Sequence, residues 1–421
     1  MARVENVQQL AGHLFRHEAG KMAAVLTRLL GSDRLEAAED IVQDTLVKAM
    51  ETWRYNGIPD NPSAWLYTVA KNKALDFIRS RQRHEKIHSE IAKAIHSEWA
   101  LPASVNKMFS PHEIEDSQLR MIFATCHSSI PEESQIALTL KILGGLSVKE
   151  IAHAFLTNEE TIQKRIARAK DKLREEKISL EVPPPHLLAD RIDAVLKVIY
   201  LLFNEGYHPS QSALKIREDL CEEAMRLTHF LIQNPASCLP KVLALMALMC
   251  LQAARFDSRS SSEGPITLEL QDRSRWNQRL MNEGFRLLEQ ASAGDELSEY
   301  HVEAAIASVH MKAASFEETN WNQLLSLYDI LQKLKPGPVV ELNRAIALGY
   351  AQSFQEGLLA LQNIQDLKDN HFYYAALGNF YNQIDQPHLA LDSYQKAMTI
   401  APSQTDRDFL QKKITAISGH Q

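Results

Sequence analysis

From Asp33 to Trp53 apolar residues recur at three- and four-residue steps, with Leu35, Ala38, Ile41, Val42, Thr45, Leu46, Ala49, Met50 and Trp53 on one side. That spacing predicts an amphipathic helix whose apolar stripe is core. Glu36, Glu39, Asp40, Gln43 and Asp44 make the opposite face acidic. The stretch Asn56-Gly-Ile-Pro-Asp-Asn-Pro62 then predicts a turn in which Asn61 caps a helix and Pro62 takes its first position. The helix that follows, to about Arg83, buries Trp65, Leu66, Val69, Ala70, Ala74, Phe77 and Ile78, and projects Lys71, Asn72, Lys73, Arg79, Arg81 and Arg83.

Periodicity fades between residues 87 and 116, where Pro102, Ser104, Ser110 and Pro111 predict a connecting segment. It returns from Gln118 to about Lys177 as three or four helices. Ser147-Val-Lys-Glu150 and Thr157-Asn-Glu-Glu160 both have the spacing of a capping box. The first opens a short helix carrying Ile151 and Ala152; the second opens a longer one with Ile162, Ile166, Ala169 and Leu173 on its buried side. Two capped helices joined by a short turn predict a helix-turn-helix. Its second helix offers Glu159, Glu160, Thr161, Gln163, Lys164, Arg165 and Arg168 to base edges and phosphates. With these helices the fold class is read as all-α.

Composition narrows the chemistry. Gly and Pro are few for 421 residues, which agrees with a helical chain of several domains. Cys126, Cys221, Cys238 and Cys250 form no C-x-x-C, so neither a zinc ribbon nor a redox motif is spelled out, and neither metal nor cofactor is expected. The N-terminus lacks a signal-peptide core, and the apolar run Val242 to Leu251 is too short for a bilayer, which predicts a cytoplasmic protein without membrane partners. No H-E-x-x-H, G-x-S-x-G or P-loop motif occurs, and Cys126 and His127, as helical neighbours, point about 100° apart. No catalytic residues are assigned, and the chain is not expected to be an enzyme. Residues 1–182 carry 25 basic and 25 acidic residues, whereas the remainder carries the whole net charge of −7. Within the neutral part, positive charge is gathered twice, six residues between Lys71 and Lys86 and six between Thr161 and Arg174. Two local stripes point to two separate phosphate contacts, solvated helix faces being the plainer reading of each.

Residues 1 to about 182 resemble the extracytoplasmic-function (ECF) sigma factors of bacterial RNA polymerase. The resemblance rests on Ala37-Ala-Glu-Asp-Ile-Val-Gln-Asp-Thr-Leu46 (region 2.2), Asn61-Pro-Ser-Ala-Trp-Leu-Tyr-Thr-Val-Ala-Lys-Asn-Lys-Ala-Leu-Asp-Phe-Ile-Arg79 (region 2.4), and Gly145 to Arg174 (region 4.2). It implies a region 2 domain over 1–90, a linker over 91–116 and a region 4 domain over 117–180. It also implies core polymerase and promoter DNA as partners. Glu39, Asp40, Gln43 and Asp44 would bind core polymerase. Asn56 and Asn61, in the loop expected to capture an extruded base, would join Lys71, Asn72, Lys73, Arg79 and Arg81 at the minus-ten element. Glu160, Thr161, Gln163, Lys164, Arg165 and Arg168 would read the minus-thirty-five element.

Most ECF factors stop near Val182. Here Arg191 to Tyr207 resembles the start of the helical extension in a subgroup with tetratricopeptide-like repeats, an extension expected over 187–421. Tyr374, Leu377, Gly378, Tyr381, Ala390, Tyr394, Ala397 and Pro402 match one 34-residue repeat near 371–404. Ala345, Leu348, Gly357 and Leu361 give a weaker repeat or another helical hairpin. Such arrays present a concave groove, with a peptide, a partner protein or the chain's own sigma domains as ligands. Asn204-Glu205-Gly206-Tyr207-His208 reads as a helix end with a glycine cap. The extension is expected to regulate the sigma domains. The alternative is a stand-alone helix-turn-helix regulator that binds duplex DNA without polymerase and carries a repeat-based interaction domain.

Overall fold

The computed structural model describes residues 2–88, 100–155, 157–207, 216–261, 264–365, 367–401 and 404–418. His208 and Pro402, singled out above, lie outside them, as do the side chains of Arg83 and Lys86. Among the described residues the regular elements are helices, with short 3-10 turns and one two-residue antiparallel pair, β1 (Ser260–Ser261) with β2 (Gly264–Pro265). They divide into two compact units, the first being 1–210 with 218–237 and the second 211–217 with 238–421.

In the first unit, α1 (Ala2–Leu30) runs through the core and buries Met22, Ala24, Val25 and Leu26. A 3-10 turn leads into α2 (Leu35–Asn56), which buries Leu35, Ala38, Ile41, Val42, Thr45, Ala49 and Trp53. Met50, placed on this stripe by its spacing, is 60% exposed. It lies about 100° beyond Ala49, on the side that neither α1 nor the next helix covers. Asn61 caps α3 (Pro62–His88) by accepting from the Ala64 amide at 3.0 Å, with Pro62 first in the helix. Leu66, Val69, Ala70 and Ala74 of α3 are buried.

Where periodicity fades the chain is again helical, with α4 (Ala100–Met108) and α5 (Pro111–Thr125). Val105, Phe109 and Ile114 are buried, so the described part of this stretch contributes to the core. Their irregular spacing reflects two short helices meeting at Ser110, with Pro111 starting the second. Next come α6 (Glu132–Ile142), α7 (Val148–Ala154) and α8 (Glu159–Glu175). The Ser147–Glu150 capping box is formed in both directions. The cap of α8 is Asn158, whose side chain accepts from Thr161 N at 2.8 Å, one residue later than the Thr157 box predicts. Asn accepts at least as well as Thr at this position, and a start one residue on keeps Ile162 and Ile166 in the core. α9 (Pro185–Tyr207) and α10 (Glu218–Gln233) complete the unit. Gly206 has no positive φ and continues α9, with Glu205 and Tyr207 buried, because Tyr207 stacks on Phe203 at 5.7 Å. The island does lie at the end of α9, but Gly206 sits inside the helix, so its reading as a glycine cap is corrected.

The second unit is built from α11 (Pro240–Ala253), the short α12 (Phe256–Arg259), α13 (Gln278–Ala291), α14 (Glu299–Lys312) and α15 (Trp321–Leu334). The helical pairs α16 (Pro338–Ala351) with α17 (Phe354–Gln362), and α18 (His371–Gln383) with α19 (Pro387–Ile400), follow, and α20 (Gln404–Ser418) covers the end. Ala390, Tyr394 and Ala397 are buried, and a Cβ on Gly378 would stand 3.0 Å from the Tyr394 ring. Of the repeat positions read from sequence, Gly378 and Tyr394 thus meet between α18 and α19, and Tyr374 and Tyr381 pack on the cluster of Ala390, Tyr394 and Ala397. The weaker repeat is a helical hairpin in which Ala345, Gly357 and Leu361 are buried.

Two buried groups give the units different acid responses. Burial raises the Glu18 carboxyl, but His17, Tyr67 and Lys21 outweigh it and hold the group at about 2. A depressed carboxyl stabilises above its ordinary value and loses that contribution as pH falls from 4.5 toward 2. Burial first, then Arg255 and Arg273, depress His310 from 6.5 to about 4, so its contribution is complete above 6.5 and lost as pH falls to 4. After allowing for solvent screening, each is worth about 2–3 kcal/mol. Hydrogen exchange should show the second unit weakening more than the first between pH 6.5 and 4, because over that range the first carries the depression of the less buried His127, with the Glu18 limb following below 4.5. A Glu18→Gln chain should lose the lower limb only; equal weakening of both units between pH 6.5 and 4.5 would contradict the assignment.

Candidate functional site

Three surfaces of the first unit carry the residues singled out from sequence. On α2, Asp40, Gln43 and Asp44 are exposed, and Val47 (54% exposed) and Met50 join them on the same outward face. The face is therefore acidic with an apolar edge, a composition suited to a protein partner. Sequence reasoning missed Val47 and placed Met50 in the core. Glu39 is half-buried because its carboxylate meets Lys170 of α8 at 2.6 Å.

The second surface joins the end of α2 to α3. Trp53 packs on Phe15 and Trp65, each at 5.5 Å, and fixes the start of the connecting loop. Gly57, at φ 80°, turns the chain there, where a side chain would be strained. Asn56 and Asn61 are exposed, and so is Tyr55 at 83%, with the Arg54 guanidinium over its ring at 6.0 Å; sequence reasoning named no role for this ring, which could stack on a base once Arg54 moves aside. On α3, Asn72 and Arg79 are exposed, while Arg81 is half-buried and has a partner. Lys71 lies over the Phe109 ring at 5.5 Å, and Lys73 pairs with Asp44 at 2.9 Å.

The third surface is the outward side of α8. Ile162, Ile166, Ala169 and Leu173 are buried, which leaves Glu160, Gln163, Lys164 and Arg168 exposed and Thr161 and Arg165 half-buried. Lys164 pairs with Glu160 at 2.7 Å, and Arg165 with Glu133 of α6. Several basic groups at both stripes thus already hold a carboxylate, and the ion pairs with Glu39 and Asp44 tie α8 and α3 to the acidic face of α2.

The helix-turn-helix is also held against α1. A Cβ on Gly20 would stand 2.8 Å from the Leu143 carbonyl oxygen. Arg16 bridges Glu150 of α7 (3.5 Å) and Asp219 of α10 (2.9 Å). From α10, Arg226 donates to Gln118 at 2.7 Å and Glu223 faces His17 at 3.6 Å. From α9, Lys197 pairs with Glu132, and Arg191 donates to the Phe123 carbonyl at 3.4 Å. The buried Cys126 thiol is pushed up to about 12 by burial, which keeps it protonated. No group of His, Cys, Asp and Glu able to hold a metal occurs among the described residues. None of the described helices is long and apolar enough to cross a membrane.

These surfaces fall within matches to known families. Sigma-70 region 2 matches residues 14–84, Sigma-70 region 4 matches 120–173, and a family of unknown function, DUF6596, matches 191–292. An uncharacterized protein of Rhizobium meliloti is 32% identical over 90% of both chains. The ECF RNA polymerase sigma-E factor of Haemophilus influenzae is 28% identical over 40% of this chain and 90% of its own, and the ECF sigma factor SigM of Bacillus subtilis 26% over 32% and 77%. No solved structure matches at a significant level. The chain belongs to the ECF sigma factors, as a member with a C-terminal helical extension. It is a transcription initiation factor, and core RNA polymerase and promoter DNA are the partners its family implies.

Proposed function

We propose that this protein, in the cytoplasm, directs core RNA polymerase to specific promoters, and that its extension governs when the two DNA-contacting surfaces become available. In this reading Glu39, Asp40, Gln43 and Asp44, with Val47 and Met50, dock on polymerase. Asn56, Asn61, Lys71, Asn72, Lys73, Arg79 and Arg81 hold the minus-ten strands, and Glu160, Thr161, Gln163, Lys164, Arg165 and Arg168 meet the minus-thirty-five duplex. Phosphates would displace Glu160, Glu133 and Asp44 from their basic partners, and polymerase would displace Lys170 from Glu39.

The observation that carries the regulatory part is the Arg16 bridge, which joins α1, the helix-turn-helix and α10 of the extension. The two promoter elements are about 25 base pairs apart, or about 85 Å of B-form DNA. A compact unit of this size is roughly 45 Å across. Regions 2 and 4 must therefore part before both elements are engaged, and contacts from α9 and α10 oppose that parting.

In vitro transcription with purified core polymerase tests the assignment. Lys71→Ala with Arg79→Ala, and separately Lys164→Ala with Arg165→Ala, are expected to lower promoter-specific initiation about tenfold, since each pair removes two phosphate or base contacts. Unchanged initiation in both would refute the assigned surfaces. Binding of duplex promoter by the chain alone, with no gain from polymerase, would favour the stand-alone regulator instead.

A further inference from the structure

One end of the second unit gathers polar chemistry that transcription initiation does not use. The stretch 264–276 leads back to the end of α11, where the Asn277 amide donates to the Ala254 carbonyl at 2.8 Å. It also crosses the end of α14, where Arg273 Nη1 donates to the carbonyls of His310 (2.6 Å) and Ala313 (2.7 Å). Gln271 fixes the crossing by accepting from Arg255 Nε at 3.0 Å, and the Arg273 guanidinium lies over the Trp276 ring at 4.8 Å.

Buried Arg273 Nη2 and His310 Nδ1 have no hydrogen-bond partner among the described residues, nor has Gln252 Oε1, in the last turn of α11 one turn before Arg255. Arg255 and Arg273 are close enough for the charge of one to act on the other, and among the described residues neither pairs with a carboxylate. Glu317 and Glu318, the acids whose charge acts on Arg273, are exposed, and Asp272 is turned to Ser274. Capping the carbonyl end of α14 accounts for Arg273 Nη1 but not for Nη2 or for the second guanidinium. A buried donor left without a partner is costly, the more so when it is charged, so this set favours a ligand that supplies the missing partners.

We propose that this end of the second unit binds a small oxyanion that also carries an O–H or N–H group, such as a hydrogen phosphate or a hydroxycarboxylate. Arg273 Nη2, the end of the guanidinium that the carbonyls leave over, can donate to a carboxylate or phosphate oxygen, helped by the charge of Arg255. The Gln252 carbonyl oxygen can only accept, so it demands a donor from the ligand. His310 is held neutral and closes the set by donating from Nδ1 or accepting there, with Trp321 packed edge-on against its ring at 5.8 Å. The site would give the extension a small-molecule input, independent of whether it restrains the sigma regions.

The test is histidine-labelled NMR on the full chain, following the His310 imidazole while inorganic phosphate, glycolate and acetate are added separately at pH 7. Saturable shifts with phosphate or glycolate at millimolar or lower concentration are expected, with acetate at least fivefold weaker because it lacks the donor. The phosphate and glycolate arms distinguish the two sources of the oxyanion. Arg255→Gln should weaken binding about tenfold. Gln252→Leu, which removes the acceptor without opening a cavity, should keep the melting temperature while erasing the preference over acetate. Shifts that stay linear to 50 mM would mean that solvent alone meets these atoms, and equal binding of acetate would overturn the donor requirement. Neither result touches the transcription assay, so failure here leaves the sigma assignment standing.

Discussion

Gly20→Leu in the full chain is expected to raise affinity for core RNA polymerase by about 10- to 100-fold. The atoms a Cβ at this position would meet are the carbonyl oxygens of Leu143 and Ile142, at 2.8 and 3.0 Å, and Leu143 Cα at 3.3 Å. All three are backbone of the region 4 match, and backbone cannot rotate aside as a side chain can. Overpacking of this kind costs about 1–3 kcal/mol. Within α1 itself, replacing glycine removes a helix penalty of about 1 kcal/mol, so region 2 is not weakened. The wedge therefore acts on the packing between the two regions and leaves each intact. If the closed packing reduces the fraction of chain able to dock, apparent affinity rises by the factor through which that fraction grows. Core-binding titrations of the glycine, alanine and leucine chains should rise in that order. A fall in melting temperature without a gain in affinity would show that the packing does not obstruct docking.

Gly349→Val should have the largest effect on the second unit. A Cβ at Gly349 would stand 2.4 Å from Phe380 Cζ, and one at Gly357 would meet the same ring at 2.6 Å. Phe380 is fully buried where α16, α17 and α18 meet, among Leu342, Ala345, Leu361 and Leu377. The ring is enclosed by the two helices whose glycines admit it, so valine must displace either the ring or a helix. The expected loss is about 3 kcal/mol, or roughly 6–12 °C in the melting of a unit of this size. Phe380→Leu should cost less and partly rescue Gly349→Val, since it removes the atoms that collide. Absence of rescue, with each change destabilising independently, would contradict this packing.

Much of the local structure was legible because short-range chemistry specifies it. Ser147 and Glu150 close a capping box, Asn61 and Pro62 start α3, and Ile162, Ile166, Ala169 and Leu173 turn one side of α8 inward. Gly378, Ala390, Tyr394 and Ala397 are likewise close neighbours in sequence whose packing needs only one hairpin. The start of α8 was displaced by one residue because Thr157 and Asn158 are both competent caps, and the choice depended on which register buries Ile162. The stretch before Gln118 was harder to read because its apolar residues belong to two short helices.

By itself, then, the sequence determined the helical class, the order of its sigma-like parts, the caps and the two basic stripes, all of which follow from residues within one or two helical turns of each other. Tertiary structure alone decided that Met50 and Val47 face outward, that Gly20 is where α1 meets the Leu143 backbone, and that Glu39 holds Lys170. It also decided that Arg16 links α7 to α10 and that Gln252, Arg273 and His310 are left with unmet hydrogen bonds. The physical reason is range: periodicity records which side of a helix is apolar, but a partner more than a hundred residues away is selected by how whole helices pack. Neither burial of a polar atom nor the space beside a glycine exists until that packing is complete.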